Sequence, residues 1–251
     1  MGVSSSRSGT VARYRPVPRS SEHDDPDYVS GVCFSPEGDL AVGLVVTGIG
    51  VDACRHLRGR RNYLLLAATP VLLGAHQIDE SLVWWGLQGH VPHLAARIAT
   101  WIYLVIAFVV VPIVVPLAIL RLESTARRRW LITPFFLLGV GVAVVLLITM
   151  LRNGITVKLG HFHIAYSIGL KNGFVVVGLY IVATCGSLLF SGYRDIVVFG
   201  LANVVAVVIL ARLTADGFAS LWCFYAALAS GAISLHMRFA RPHRDHPYAL
   251  T

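Results

Sequence analysis

A short polar stretch, His76-Gln77-Ile78-Asp79-Glu80, interrupts a long apolar segment of the chain. The residues before it, 63–75, contain no charged side chain. On a helix, His76 lies three residues from Asp79 and four from Glu80, so the three side chains can share one face. An ionisable side chain costs about 2.5–3.5 kcal/mol to insert into a bilayer, so it usually serves a function or meets a partner there. These residues are therefore our first candidates for an active site.

The chemistry that these side chains fit best is the protonation of an apolar substrate. A carboxyl group in apolar surroundings can stay protonated, and two neighbouring carboxyls that cannot both ionise favour this state. One of Asp79 and Glu80 could therefore hold a proton, with His76 on the same helix face. A carbocation formed from an alkene or epoxide would be stabilised by aromatic faces and protected by a water-poor pocket.

Aromatic residues are predicted to bind the substrate, a lipophilic isoprenoid. We expect several tryptophans to line, together with the acids, one cavity that opens toward the outer leaflet of the membrane. The predicted substrate-binding residues are Trp84, Trp85, Trp101, Tyr103, Trp222 and Tyr225.

Each of these features also has a purely structural interpretation. The polar stretch can be a network that holds helices together, and the tryptophans can form an aromatic belt at the membrane interface. Asp216 can cap the helix that follows it, whereas Glu37 and Asp39 fit a solvated flank. The corresponding function is a non-enzymatic membrane protein, such as a small transporter or a subunit of a complex.

His161, His163 and Tyr166 lie in the connection after the fourth apolar segment. The histidines fit a solvated loop, although imidazole and carboxylate groups also suit zinc or iron. No H-E-x-x-H spacing occurs, and no second histidine lies four residues from His76. The G-x-S-x-G motif of serine hydrolases is absent from the sequence as well. We therefore predict no metal and no cofactor.

The overall composition indicates a polytopic membrane protein. Of the 251 residues, 56% are hydrophobic and 14% are charged, against about 25% charged residues in a soluble domain. The formal charge of +8 comes from basic residues beside apolar runs, which argues for membrane lipid and against nucleic acid as a partner. The four cysteines lack C-x-x-C spacing and fit small buried hydrophobes. Nothing in the sequence indicates an oligomeric state.

Seven apolar segments approach or exceed the roughly 20 residues that span a bilayer. We predict an all-α fold, a bundle of seven transmembrane helices in a single domain. The first segment is the shortest, and Gly43, Gly48 and Gly50 in it would permit close helix packing. The predicted segments are 39–54, 63–85, 94–120, 131–151, 174–190, 196–213 and 217–237.

The distribution of Lys and Arg predicts how these segments are oriented. The loops and tail on one side carry twelve basic residues, whereas the alternate loops carry five. Because the basic side faces the cytoplasm, we predict a multi-pass cell-membrane protein with its N-terminus outside and its C-terminus in the cytoplasm. We assign residues 1–32 to a disordered tail, 33–240 to the membrane domain and 241–251 to a cytoplasmic tail.

Three short motifs resemble a family of small actinobacterial membrane proteins, most of unknown function, over about residues 33–240. They are Cys33-Phe34-Ser35, His76-Gln77-x-x-Glu80 with Trp84 following, and Leu221-Trp222-Cys223-Phe224-Tyr225. By helix order alone, the chain also resembles the seven-helix membrane terpene cyclases of meroterpenoid and indole-terpenoid pathways. Those enzymes use an acid on the second helix and another near the last. The resemblance implies a terpene cyclase with Glu80 and Asp216 in these places. On this basis we predict that Glu80 donates the proton and that Asp79 and His76 tune or orient it. Asp216 would be a second acid or the terminating base.

Overall fold

The computed structural model describes residues 35–57, 61–159, 164–170, 172–213, 225, 227–231 and 234. This part of the chain is mostly helical, as predicted. A short 3-10 turn at Arg61–Tyr63 precedes the second helix. Of the last predicted segment, 217–237, the described residues are helical. The helices are α1 (Pro36–Arg55), α2 (Leu64–Leu87), α3 (His93–Val105), α4 (Val111–Leu122), α5 (Ala126–Asn153), α6 (Gly173–Leu189) and α7 (Arg194–Leu213).

Helix α1 begins three residues earlier than predicted. Ser35 is its N-cap and accepts a hydrogen bond from the Gly38 amide at 3.2 Å, while Pro36 occupies the first turn. A serine cap followed by proline is a strong helix start, because the cap accepts from an amide that has no partner inside the helix. The earlier start places Asp39 inside the helix rather than at its edge.

The third predicted segment is one long helix with a wide turn in its middle. Helices α3 and α4 are joined by a π-helical turn over Ile106–Val110. The Tyr180 hydroxyl of α6 donates a hydrogen bond to the carbonyl oxygen of Ala107 inside this turn, at 2.9 Å. A π turn leaves the regular hydrogen-bond ladder, so an outside donor can pair with one of its carbonyls.

Helices α1 and α2 pack with their backbones in contact. A Cβ atom built on Gly43 would lie 2.7 Å from the carbonyl oxygen of Gly74, and one built on Gly50 would lie 2.6 Å from the amide nitrogen of Val71. Only glycine permits this approach, so the predicted packing role is confirmed for Gly43 and Gly50. The third glycine of α1, Gly48, has nothing within 4 Å of its Cβ position.

A β-hairpin lies between α5 and α6, where the sequence predicted only a loop. Strand β1 (Thr156–Leu159) pairs antiparallel with β2 (Ile164–Ser167), with Thr156 opposite Ser167. Val157 and Ile164 are buried in the main apolar cluster, so the hairpin covers the end of the helices. We call this the hairpin end of the molecule. His161 and His163 lie outside the described residues.

The opposite end, where α4 meets α5 and α6 meets α7, carries a buried carboxylate. Glu123 Oε1 accepts hydrogen bonds from the Ser191 hydroxyl at 2.9 Å and from the Gly192 amide at 2.6 Å. Arg129 donates to the Glu123 carbonyl at 2.7 Å, and Arg128 donates to the Ser191 carbonyl at 3.2 Å. Glu123 therefore ties two connections together. We call this the basic end.

We predict that Glu123→Gln destabilises the protein by about 1.5–3 kcal/mol, the contribution of hydrogen bonds to a charged group. Glutamine keeps the size of the side chain but replaces the charged acceptor with a neutral amide. Unfolding in a denaturing-detergent titration measures the change. Glu37→Gln is the matched control, because Glu37 is exposed on the first turn of α1. Equal unfolding midpoints for the two variants would contradict the prediction.

By length and composition, two helices among the described residues could cross a membrane. They are His93–Leu122, which comprises α3, the π turn and α4, and Ala126–Asn153, which is α5. Helix α6 is apolar but shorter. The coarser prediction of a mostly helical chain is therefore confirmed, with two helices of membrane-spanning length and composition. The seven-span arrangement stays a prediction.

Candidate functional site

One face of α2 carries polar residues that are withdrawn from the surface. His76, Gln77 and Glu80 have 0% exposure, and Asp79 has 9%. Helix α2 packs mainly against α1 and α3. Glu80 therefore lies in the interior of the protein.

Asp39 of α1 joins this polar face, which corrects the expectation that it belongs to a solvated flank. It is 5% exposed, and its Oδ1 accepts a hydrogen bond from Gln77 Nε2 at 3.3 Å. The indole of Trp84 also lies beside the Asp39 carboxyl, without reaching hydrogen-bond geometry. The contact follows from the early start of α1 and from its close packing on α2. We call Asp39, His76, Gln77, Asp79 and Glu80 the polar cluster.

Three stacked rings connect the polar cluster to the hairpin. The imidazole of His76 stacks on Tyr103 of α3, with ring centroids 4.1 Å apart and planes 19° apart. Tyr103 stacks in turn on Tyr166 of β2, at 4.6 Å and 16°. Each ring comes from a different element, so the stack holds the His76 imidazole in one orientation relative to α3 and the hairpin.

Most of the predicted aromatic residues that the structure describes share one apolar cluster. Trp84 and Tyr103 are buried in it, at 5% and 0% exposure, and Trp101 and Tyr225 are partly buried against it. Trp84 is therefore an interior side chain and does not belong to a surface belt. Trp85 is half-buried.

Two predicted site residues, Asp216 and Trp222, lie outside the described residues. The structure therefore brings together His76, Asp79, Glu80, Trp84 and Tyr103 from the predicted set and leaves those two positions open. Within the described ranges, no three His, Cys, Asp or Glu side chains are arranged to hold a metal ion.

The polar cluster offers acceptors that its own helices do not satisfy. Asp79 Oδ2 and Gln77 Oε1 are buried and have no hydrogen-bond partner among the described residues. A buried acceptor without a partner costs about 1–3 kcal/mol, so such groups call for a functional or structural explanation. Chemically, the cluster can hold a proton on one carboxyl and pass it on, with an imidazole and stacked rings beside it.

A cavity among the helices lies away from the polar cluster. A cavity of about 70 Å³ is formed by α2, α4, α6, α7 and Ser230, toward the basic end. Its walls include Leu73, Ala118 and Thr184, and no predicted site residue lines it. The expected cavity shared by the acids and tryptophans includes Asp216 and Trp222, which lie outside the described residues, so it stays a prediction.

From the sequence, Asp39 was expected in a solvated flank, and no role was predicted for Gln77. A usable signal for Asp39 was present in Ser35-Pro36, since a capping serine before proline predicts that the helix already includes Asp39. The role of Gln77 depends on its contact with Asp39 of α1. The spacing of residues within α2 does not indicate which residue of α1 lies beside Gln77.

A family profile described as "Family of unknown function (DUF6629)" matches residues 32–247. This range agrees with the extent expected from the three short motifs. No functionally curated protein and no solved structure matches the chain. The comparisons therefore support the resemblance to a family of unknown function and give no support to the resemblance to terpene cyclases.

Proposed function

The chain belongs to DUF6629, a family of unknown function, and we propose that it is a membrane-embedded terpene cyclase. The observation that carries the proposal is the buried acid pair on α2, where Glu80 is 0% and Asp79 is 9% exposed. A carboxyl group enclosed away from water can deliver its proton to an apolar substrate. The substrate would be a prenylated or epoxidised lipophilic isoprenoid that enters from the bilayer.

The proposed reaction is an isomerisation that begins with proton transfer. On an epoxide substrate, the Glu80 proton moves to the epoxide oxygen, and the C–O bond at the more substituted carbon breaks to leave a carbocation. An alkene of the same chain attacks this carbon and forms a ring C–C bond. Loss of a proton to a base, which we assign to Asp216, gives a product of the same mass as the substrate.

The aromatic residues would stabilise the positive charge during ring formation. Trp84 and Tyr103 lie in the same apolar cluster. Trp84 follows Glu80 by one turn of α2, and Tyr103 stacks on His76, which precedes Glu80 by one turn. A desolvated cation over an aromatic face gains about 2 kcal/mol or more. His76, held by its stack on Tyr103, would orient Glu80 rather than act as the donor.

Membranes that contain the protein test the proposal when incubated with an epoxide-bearing prenylated aromatic compound. We expect a cyclised isomer that is absent from membranes without the protein, resolved from the substrate by chromatography and mass spectrometry. A panel of prenyl chain lengths, with and without the epoxide, covers the proposed substrate class. No isomer from any member of the panel would count against a cyclase.

A second candidate is a non-enzymatic membrane protein in which the polar cluster joins helices. The observation that favours it is the hydrogen bond between Gln77 and Asp39, which links α1 to α2. On this view, removing Glu80 lowers the amount of folded protein. On the cyclase view, it removes product while the protein accumulates.

We also propose that the chain spans the membrane seven times with the basic end in the cytoplasm. The support is the twelve-to-five excess of Lys and Arg on that side. A topology reporter fused after residue 240 should therefore behave as cytoplasmic. A reporter inserted after Lys158, in the hairpin, should behave as extracytoplasmic. Reporters that indicate the same side would show that the number of spans is even between the two positions, against this topology.

A further inference from the structure

We infer that the cavity at the basic end is a binding site for an apolar chain, the part of an isoprenoid substrate that lies farthest from the protonated carbon. The inference rests on the proposed function for the identity of the ligand. The cavity itself is an observation, with a volume of about 70 Å³. A single water needs about 10–15 Å³ of such space, so the cavity admits a group of several heavy atoms.

The walls of the cavity suit carbon rather than polar atoms. Of its fourteen lining residues, six are leucine, valine or isoleucine, and Ala118 and Phe199 add further apolar surface. The polar residues in the lining use their donors within the protein. Thr69 donates to the Leu65 carbonyl at 3.0 Å, and Thr184 donates to the Tyr180 carbonyl at 2.9 Å.

Three further lining residues follow the same rule. The Tyr180 hydroxyl donates to Ala107 at 2.9 Å, Ser230 donates to Ala227 at 2.8 Å, and the Asn203 amide donates to Phe199 at 2.7 Å. Because the hydroxyl donors and one N–H of Asn203 are already engaged with backbone carbonyls, they gain little from a polar ligand. An apolar ligand can therefore enter without breaking a hydrogen bond.

The position of the cavity along α2 fits one ligand that reaches both sites. Leu73 lines the cavity, and Glu80 follows it by seven residues along the same helix. At a rise of 1.5 Å per residue, the two levels are about 10 Å apart. An extended isoprenoid with its reacting end at Glu80 has the length to reach the cavity, whereas a short chain does not.

Photocrosslinking with a diazirine-bearing geranylgeraniol tests the site without any turnover. The full-length protein in nanodiscs is irradiated with the probe, and the labelled peptides are identified by mass spectrometry. We expect labels on the cavity segments of α4 and α6, with at least tenfold less labelling after Ala118→Leu or Thr184→Leu. Ala118 and Thr184 both line the cavity, and leucine fills it with additional carbon atoms.

The matched control is Val144→Leu, which adds one carbon at a position that is 48% exposed on α5. It should leave the labelling unchanged. Two results would overturn the inference. One is labelling of the parent protein only at residues outside the cavity, and the other is labelling of Ala118→Leu and Thr184→Leu at the level of the parent. Two filling variants at different helices guard against misfolding of either one.

A second arm separates isoprenoids from lipid acyl chains. A palmitoyl diazirine probe should label the cavity at least tenfold less than the isoprenoid probe, and equal labelling would overturn the assignment to isoprenoids. The inference also fails separately from the proposed function. Cavity labelling without cyclised product would reject the cyclase and keep the binding site. Product formation without cavity labelling would keep the cyclase and reject the binding site.

Discussion

Glu80→Gln should abolish formation of the cyclised isomer while the protein still accumulates in membranes. Glutamine keeps the length and shape of the side chain but has no acidic proton to give. General acid catalysis typically supplies about 10²–10⁴-fold in rate, so product formation should fall by this factor. The measurement is the initial rate of isomer formation, normalised to the amount of folded protein in the same membranes.

Asp79→Asn is the matched comparison, because it makes the same chemical change at the next residue. If Asp79 tunes its neighbour, its loss should reduce the rate less than the loss of Glu80 does. Equal losses in the two variants would mean that the donor has been assigned to the wrong carboxyl. Full activity of Glu80→Gln would end the proton-donor hypothesis, and a shortage of folded protein would favour the structural interpretation of the cluster.

Gly43→Ala should disrupt the contact between α1 and α2, although alanine is normally the better helix former. The new methyl group would lie 2.7 Å from the Gly74 carbonyl oxygen and 2.9 Å from the Ile78 amide nitrogen. Both are backbone atoms, so the helices must separate to admit it. Overpacking of this kind costs about 1–3 kcal/mol. Replacing glycine with alanine in a helix gains about 1 kcal/mol in helix propensity, so we expect a net loss of stability.

Gly48→Ala provides a control within the same helix. Its Cβ has nothing within 4 Å, so this substitution should be neutral or stabilising. Thermal unfolding of the two variants in the same detergent measures the difference. Separation of the helices should also weaken the hydrogen bond between Asp39 and Gln77, so activity should fall with Gly43→Ala and persist with Gly48→Ala. Equal melting temperatures would show that α1 and α2 can move apart freely.

The helical part of the fold was largely predictable because long apolar runs have few alternatives. The observed bounds of α2, Leu64–Leu87, lie within two residues of the predicted segment 63–85. The hairpin was not predictable in the same way. Each strand has only four residues, and a strand this short is stabilised by its partner and by the core rather than by its own sequence. The burial of Val157 and Ile164, which stabilises the hairpin, depends on the helices against which they pack.

The candidate site was predictable to the extent that it lies on one helix. The spacing of His76 and Glu80 placed them on one face, and the structure buries that face. The contacts between elements were not predictable from spacing. Asp39 looked solvated because it precedes an apolar run, yet close glycine packing brings it under Gln77. Tyr166 looked like part of a loop, yet the hairpin turns its ring onto Tyr103.

The π turn at Ile106–Val110 has a consequence for how this long helix can vary. A π turn accommodates about one residue more than an α-helical turn, so it offsets the angular position of everything beyond it. One residue corresponds to a rotation of about 100° in an α-helix. Tyr103 on one side of the turn stacks in the polar region, and Ala118 on the other side lines the cavity. Loss of a single residue here would turn one of these two surfaces away from its present contacts, so we expect the helix to be more sensitive to a change in the length of the turn than to substitutions within it.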